Sequence, residues 1–351
     1  MKQQMTPCER TFAALQRREP DRVPVFEFVI AENVMQGIFP GCTYYEFVER
    51  IGLDVVGLNR SSWPKDKVEY VDRERGLFRD HWGVIRAFGP ESSPYPIEAP
   101  IKRPEDLRTY KPPDPNAPDA LGHLPEVVER YKGKLPIVWV ARDAFFDPAH
   151  LRGMEQYLMD FHLNPKLAHN LIDICQAYDI ALMRRAIRAG VDIIVFGDDY
   201  ADKNSPLMSP RHFAEFVLPG LKKAVAAAKE EGAYVIKHTD GNIMPLIEMI
   251  IETGIDGLNP IEPAAGMDIA YVKRKYGDRV CIIGNIDCGE LLSRRPVGEV
   301  IASVKKTIAE AAPGGGYMIS SSNSIHSSVR PENYRAMVET AKAVGRYPIQ
   351  I

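Results

Sequence analysis

The sequence is short of the features that mark whole classes of protein. Its longest apolar stretches fall well below the ~20 residues of a membrane-spanning helix, so no membrane span is expected. It has no lysine- or arginine-rich stripe. Acids and bases are interspersed and the formal charge is -3, which argues against a nucleic-acid partner or a membrane-surface patch. The five cysteines (Cys8, Cys42, Cys175, Cys281 and Cys288) are odd in number, scattered and free of any CxxC pair. The opening MKQQMTPCER lacks the apolar core of a signal peptide, so reduced thiols in a cytoplasm are the expectation. There is no HExxH, and no glycine-rich phosphate turn early in the chain. The stretch from Val23 to Glu49 holds neither arginine nor lysine.

What is present is a repeated rhythm. At 351 residues and 45% apolar, the chain has ample material for one large domain or two medium ones. The stretch 233–263 shows the unit most clearly. An apolar run, Tyr234 to Ile236, ends in the polar cluster Lys237-His238-Thr239-Asp240-Gly241-Asn242. Ile243, Leu246, Ile247, Ile250 and Ile251 then recur at helical spacing, and Gly254 closes the segment as a C-cap. A second apolar run, Ile255 to Leu258, leads into Asn259 and Glu262. Strand, polar loop, helix, strand: such units make parallel strands whose polar loops gather at one end.

The same unit recurs along the chain. Strands are expected at 23–26, 54–58, 137–140, 191–196, 234–236, 255–258, 280–283 and 317–320. Thr6-Pro7-Cys8-Glu9 reads as a capping box opening a first helix. Two helices are expected over 148–189, parted at Asn164-Pro165, and a long one over 209–232 with a kink at Pro219. Residues 66–90 break the rhythm with alternating apolar and polar residues, which predicts a small antiparallel excursion. Residues 90–118 are proline-rich and read as a surface crossing. The whole predicts a single α/β domain over 1–351, a (β/α)8 TIM barrel with a small antiparallel insertion. A doubly wound open sheet is the alternative.

In such a barrel, chemistry sits at the C-terminal ends of the strands. Those ends carry Glu27; Asn59 and Arg60; Arg142 and Asp143; Asp198 and Asp199; His238 and Asp240; Asn259 and Glu262; Asn285 and Asp287; and Asn323 with His326. Loops are polar anyway, but a polar group at nearly every strand end favours an enzyme. His238-Thr239-Asp240 is the sharpest element. An imidazole and a carboxylate two residues apart can face one cavity and hold a divalent metal such as zinc, or form a plain histidine–carboxylate hydrogen bond. The adjacent Asp198 and Asp199 can share a mouth as a general acid or base, or else cap a turn or pair with Lys203. His326 reads as an acid, a ligand or a substrate contact, or as a merely exposed loop histidine. The glycines at 314–316 precede a strand, not a helix N-terminus, and so lack what a phosphate site needs.

The blocks ERTFAALQRREPDRVPV, LRGMEQYLMDFHLNP, DDYADKNSPLMSPRHFAEFVLPGLKK, VIKHTDGN, IIGNID and SVRPENYRAMVE occur in order over nearly the whole chain. Together they resemble the uroporphyrinogen decarboxylase family, whose fold is a (β/α)8 barrel. One branch decarboxylates uroporphyrinogen without a cofactor. The other moves methyl groups between a corrinoid protein and a small molecule, using zinc. The decarboxylases grip substrate carboxylates with arginines after the first strand, where this chain has none, and their catalytic aspartate falls on Asn59. The zinc methyltransferases carry His-x-Cys after strand five and a cysteine after strand eight. Here those places hold His238-Thr239-Asp240 and Ser322, Asn323, Ser324 and His326. The resemblance thus implies a divergent methyltransferase, with a corrinoid protein as partner and any zinc in a nitrogen and oxygen site. His238, Asp240, Asp199 and His326 are the expected catalytic residues. His238, Asp240 and His326 are the expected ligands, with Glu262 as substitute. Glu27, Asn59, Arg60, Arg142, Asp198, Asn259, Glu262, Asn285, Asp287 and Asn323 are expected to bind substrate. A decarboxylase acting on a porphyrinogen or smaller acid is the alternative, and a non-catalytic barrel binding a corrinoid or its carrier is the third reading. A homo-oligomer stays open.

Overall fold

The computed structural model describes residues 4–58, 68–89 and 94–350. Seven parallel strands form one curled sheet in the order β1 (Val56–Leu58), β6 (Ile137–Ala141), β7 (Ile193–Phe196), β8 (Tyr234–His238), β9 (Gly257–Asn259), β10 (Cys281–Ile283) and β11 (Tyr317–Met318). Chain order and spatial order agree, so each helix crosses over to the next strand along. A separate four-stranded antiparallel sheet runs β2 (Glu69–Asp72), β3 (Leu77–Arg79), β4 (Ile85–Ala87), β5 (Tyr95–Glu98). Its turns use Gly76 and Gly83, both at positive φ where a side chain is strained. This is the predicted excursion, but it reaches Glu98, into the stretch read as a surface crossing.

The first expected strand, 23–26, is reduced to an isolated parallel bridge, Val25 to Ile319. Phe26 N–H donates to Ile319 O (2.9 Å), and Ile319 N–H donates to Pro24 O (3.0 Å). On its other side Asp54 N–H donates to Val25 O (3.0 Å). The ladder stays thin for two reasons. Pro24 has no N–H. The Val25 N–H is taken by the buried Asp54 carboxylate (2.8 Å), which also holds Arg10 and Arg22. In the helical layer, Thr6 and Glu9 form the predicted capping box. The expected kink at Pro219 takes the form of a wider, π-type turn at Phe213–Val217. The proline has no N–H for the carbonyl four residues back.

Strand alternation sorts the core into two layers. Phe26, Val138, Ile193, Val195, Ile236, Cys281, Ile283 and Met318 fill the concave side, joined from below by Ala14 and Leu15 of the helix Pro7–Leu15. Trp139, Ile194, Phe196, Val235 and Leu258 face the surrounding helices. Gly257 sits on the concave side without room for a methyl group. A Cβ there meets Ile283 Cδ1 at 2.9 Å and Ile236 Cγ1 at 3.0 Å. Gly257→Ala should therefore overpack this layer and lower stability by about 1–3 kcal/mol, read as a reduced urea midpoint.

Candidate functional site

Continuing the alternation past the strand ends separates two polar groups. The first lies on the concave side around His238, which is nearly buried at 9% exposure. Its Nδ1 is 2.5 Å from Asn259 Oδ1. The Asn259 amide donates its own hydrogens to Ile283 O (3.3 Å) and Ser320 Oγ (3.1 Å), so its oxygen must face the ring. The proton of His238 is therefore on Nδ1, and the Nε2 lone pair is free. That atom points at two carboxylates: Asp240 Oδ1 at 3.5 Å and Asp199 Oδ1 at 4.0 Å. The Phe28 ring packs against the imidazole at near right angles, 5.4 Å between centroids.

Each carboxylate is fixed by its neighbours. Asp199 Oδ1 accepts the Asp240 N–H (2.9 Å), and Asp240 Oδ2 accepts from Asn323 Nδ2. Asp240 Oδ1 is buried and finds no hydrogen-bond partner among the described residues. Burial, then the charges of Asp199 and Glu262, holds the Asp240 carboxyl well above the usual carboxylate range. Burial likewise pushes the His238 imidazole below its ordinary value, partly offset by Asp199. A lone pair and two carboxylates aimed at one point repel each other unless a cation or a proton lies between them. One ligand atom from each of Asp199, His238 and Asp240 lies within 4.8 Å of the others. This donor set, one imidazole nitrogen and two carboxylate oxygens with one oxygen orphaned, fits a divalent cation.

The second polar group faces the helices. Lys237, with 0% of its side chain exposed, bonds Asp143 Oδ2 (2.7 Å) and Asp198 O (2.7 Å) and lies 4.0 Å above the Tyr200 ring. Asp198, equally buried, accepts from the N–H groups of Phe145 and Phe146 (3.0 Å each) and contacts Arg142 Nη1 at 3.3 Å. Burial raises Asp143 to about 6, with Asp198 adding to it and Lys237 opposing. Burial works on Asp198 too, but Arg142 and Lys237 outweigh it and keep that carboxyl below its ordinary value. Asp198 and Asp199 thus belong to opposite layers and share no mouth. Asp143 was expected at a strand end but given no role, and Lys237 was not among the expected site residues. The signal for Lys237 was a charged residue at an outward, apolar register of β8.

The remaining expected residues fall out as follows. Asn59 and Arg60 lie outside the described residues. His326 does not join Asp199, His238 and Asp240. Its Nδ1 accepts the Ser328 N–H (3.3 Å) and its Nε2 faces Cys288 O (3.2 Å), so both nitrogens are engaged by backbone. Asp199 stands where His326 was expected. Glu262 accepts the Gly241 N–H (2.8 Å) and Asn285 donates to Ile261 O (2.9 Å), both beside the cluster. Asp287 accepts the Gly289 N–H (2.8 Å), in its own turn. Glu27 is buried away from His238 and bonds Ser321. The two described surface cavities, about 460 and 580 Å³, are lined by neither His238 nor Asp240.

A curled parallel sheet with polar strand ends on its concave side defines a barrel-type enzyme scaffold. The chain belongs to the uroporphyrinogen decarboxylase (URO-D) family, which it matches over residues 81–344. It is 25% identical over 350 residues to "Methylcobamide:CoM methyltransferase MtbA" of Methanosarcina acetivorans, covering 96% of this chain and 98% of that one. It is 26% identical over 225 residues to "Methylated-thiol--coenzyme M methyltransferase" of Methanosarcina mazei, covering 64% of this chain and 58% of that one. "Uroporphyrinogen decarboxylase" of Aeromonas salmonicida is 24% identical over 258 residues, or 68% and 67% of the two chains. In fold it is similar to a methyltransferase from Methanosarcina mazei, with a TM-score of 0.71, 20% identity and coverage of 97% and 99%. No described helix is long and apolar enough to cross a membrane.

Proposed function

We propose that this protein moves a methyl group between a small methylated compound and a corrinoid carried by a partner protein. The observation that carries the reading is the Asp199, His238 and Asp240 cluster with its orphaned Asp240 oxygen. The match to a methylcobamide methyltransferase along almost the whole chain supports it. We read residues 1–351 as one domain, and segment 23–26 as the eighth strand of a closed (β/α)8 barrel. Its hydrogen bonds to Ile319 and Asp54 support that closure.

Removing a methyl cation leaves an electron pair on its former heteroatom, which needs a proton or a Lewis acid. A divalent cation such as zinc, held by His238, Asp199 and Asp240, would supply Lewis acidity there. The chain's own part is to preorganise those three groups. Asn259 fixes the imidazole tautomer, Asn323 holds one Asp240 oxygen, and the Asp240 N–H holds Asp199. Phe28 excludes water from one side of the ring. On this reading Arg142, Glu262 and Asn285 orient the substrate. The decarboxylase reading has a relative in its favour. Against it stands the absence of any arginine or lysine from Val23 to Glu49, which leaves a polycarboxylate ungripped.

The test is direct. Purified protein given cob(I)alamin with methyl ethers, methylamines or methyl thioethers should form methylcobalamin with at least one class. Given uroporphyrinogen, it should form no coproporphyrinogen. The opposite pair of results would hand the protein to the decarboxylase reading.

A further inference from the structure

Glu27 sits at 3% exposure, outside the His238 cluster, yet is linked to it through a chain of hydrogen bonds. Its Oε1 accepts the Ser321 N–H (2.5 Å), and its Oε2 is 3.0 Å from Ser321 Oγ. The same Ser321 hydroxyl reaches the Asn323 carbonyl. Asn323 in turn donates to Asp240. The proton count along this chain bears on the state of Glu27. A serine hydroxyl has one hydrogen. The Asn323 carbonyl oxygen can only accept, and an ionised Glu27 Oε2 would compete with it for that one hydrogen. A proton on Glu27 satisfies both contacts, with Ser321 donating to Asn323 and accepting from Glu27.

We propose that Glu27 is held as the neutral carboxylic acid and is a positioning residue: its proton fixes the 321–323 turn, and through Asn323 the Asp240 carboxylate. The surroundings agree. Tyr44 of the helix Tyr44–Ile51, Tyr334 of the helix Pro331–Val344 and Cys288 beyond β10 are the titratable groups that face it. All three are themselves uncharged at neutrality, since burial raises each. No cation lies against Glu27 among the described residues. Burial raises its carboxyl to about 8, with the Ser321 bonds working the other way. Ionisation would draw the Ser321 hydrogen to Glu27 and release the Asn323 carbonyl.

The link to Asp240 matters for catalysis only if the methyl-transfer reading holds, but the proton on Glu27 is measured without any activity. Wild-type, Glu27→Gln and Glu27→Leu proteins are unfolded in urea between pH 4 and 9. Folded Glu27 keeps its proton to about 8, whereas the unfolded carboxyl loses it near 4.5. Glu27 therefore contributes stability in acid, which is lost as pH rises through that window and is constant above it. Gln replaces the O–H donor with N–H and does not titrate. The stability of Glu27→Gln relative to wild type should rise from pH 5 to 8 and then level off. A difference that does not vary with pH would overturn the proposal, because Glu27 would then lose its proton in the folded protein as readily as in the unfolded chain. The second readout is zinc affinity at pH 7. Glu27→Gln should keep it and Glu27→Leu should lower it, by less than the about 10–100-fold expected for loss of Asn323, the direct partner of Asp240. Equal affinity for Leu and Gln variants, with both folded, would overturn the positioning role and leave the neutral acid as a fold element. If the protein binds no zinc at all, the metal reading fails while the pH-dependent stability still decides the proton.

Discussion

On the proposed reading, His238→Ala should abolish divalent-cation binding and methyl transfer, while leaving the fold intact. The side chain stands on the concave side of the strand ends, and its Nε2 faces both Asp199 and Asp240 with a free lone pair. Without it, two oxygens remain, and two ligands rarely hold zinc. Asp199→Asn and Asp240→Asn should act in the same direction, since each replaces an anionic ligand by a neutral amide. Asn259→Leu gives the scale. It removes the hydrogen bond that fixes the His238 ring without removing a ligand atom, and should weaken zinc by about 10–100-fold. Loss of His238 should exceed that. Elemental analysis and zinc titration of the four variants check the order. Wild-type protein that keeps full methyl transfer after chelation would leave His238 as a proton donor instead of a ligand.

The second large effect concerns stability. Lys237→Met should destabilise the protein by about 3–5 kcal/mol, the usual result of removing one partner from a buried ion pair. The Asp143 carboxylate would lose its 2.7 Å partner inside the protein, and Asp198 O would lose a donor. Asp143 already sits at about 6 because burial and Asp198 act against its charge. A raised carboxyl makes its contribution in acid and loses it as pH rises. Removing the lysine raises Asp143 further, so the deficit should widen above about pH 6 and shrink below it. Urea unfolding at pH 5 and pH 8 reads both. Lys237→Met combined with Asp143→Leu should recover part of the loss, because it removes the stranded charge as well. A deficit of equal size at both pH values would mean that Asp143 does not titrate with the change.

Much of this was legible from residue order. The helix and strand rhythm located all seven sheet strands, and the i, i+2 spacing of His238 and Asp240 placed both on one face. The same period could have separated Asp198 from Asp199, because neighbours on a strand point opposite ways. Lys237 was overlooked since a lysine beside a polar loop looks ordinary. What singled it out was the alternation Val235, Lys237 against Ile236, His238. His326 was not predictable. Its ring is occupied by backbone of its own turn and of Cys288, which residue type does not reveal. The thinness of the 23–26 segment follows in part from Pro24, which is visible, and in part from the Asp54 carboxylate, which is a tertiary contact.

The filling of the concave side by Leu15, Ala14 and the strand residues has a consequence for traffic. Among the described residues that filling lies below His238, so on the proposed reading reactants approach from the strand-end side. A donor and an acceptor that share one doorway must take turns unless one is small enough to wait inside. Initial-rate patterns for such an arrangement are ordered or substituted-enzyme, and the second reactant at high concentration blocks the first. A large carrier would seal the entrance while docked, so the small molecule has to enter before it arrives or leave after it departs.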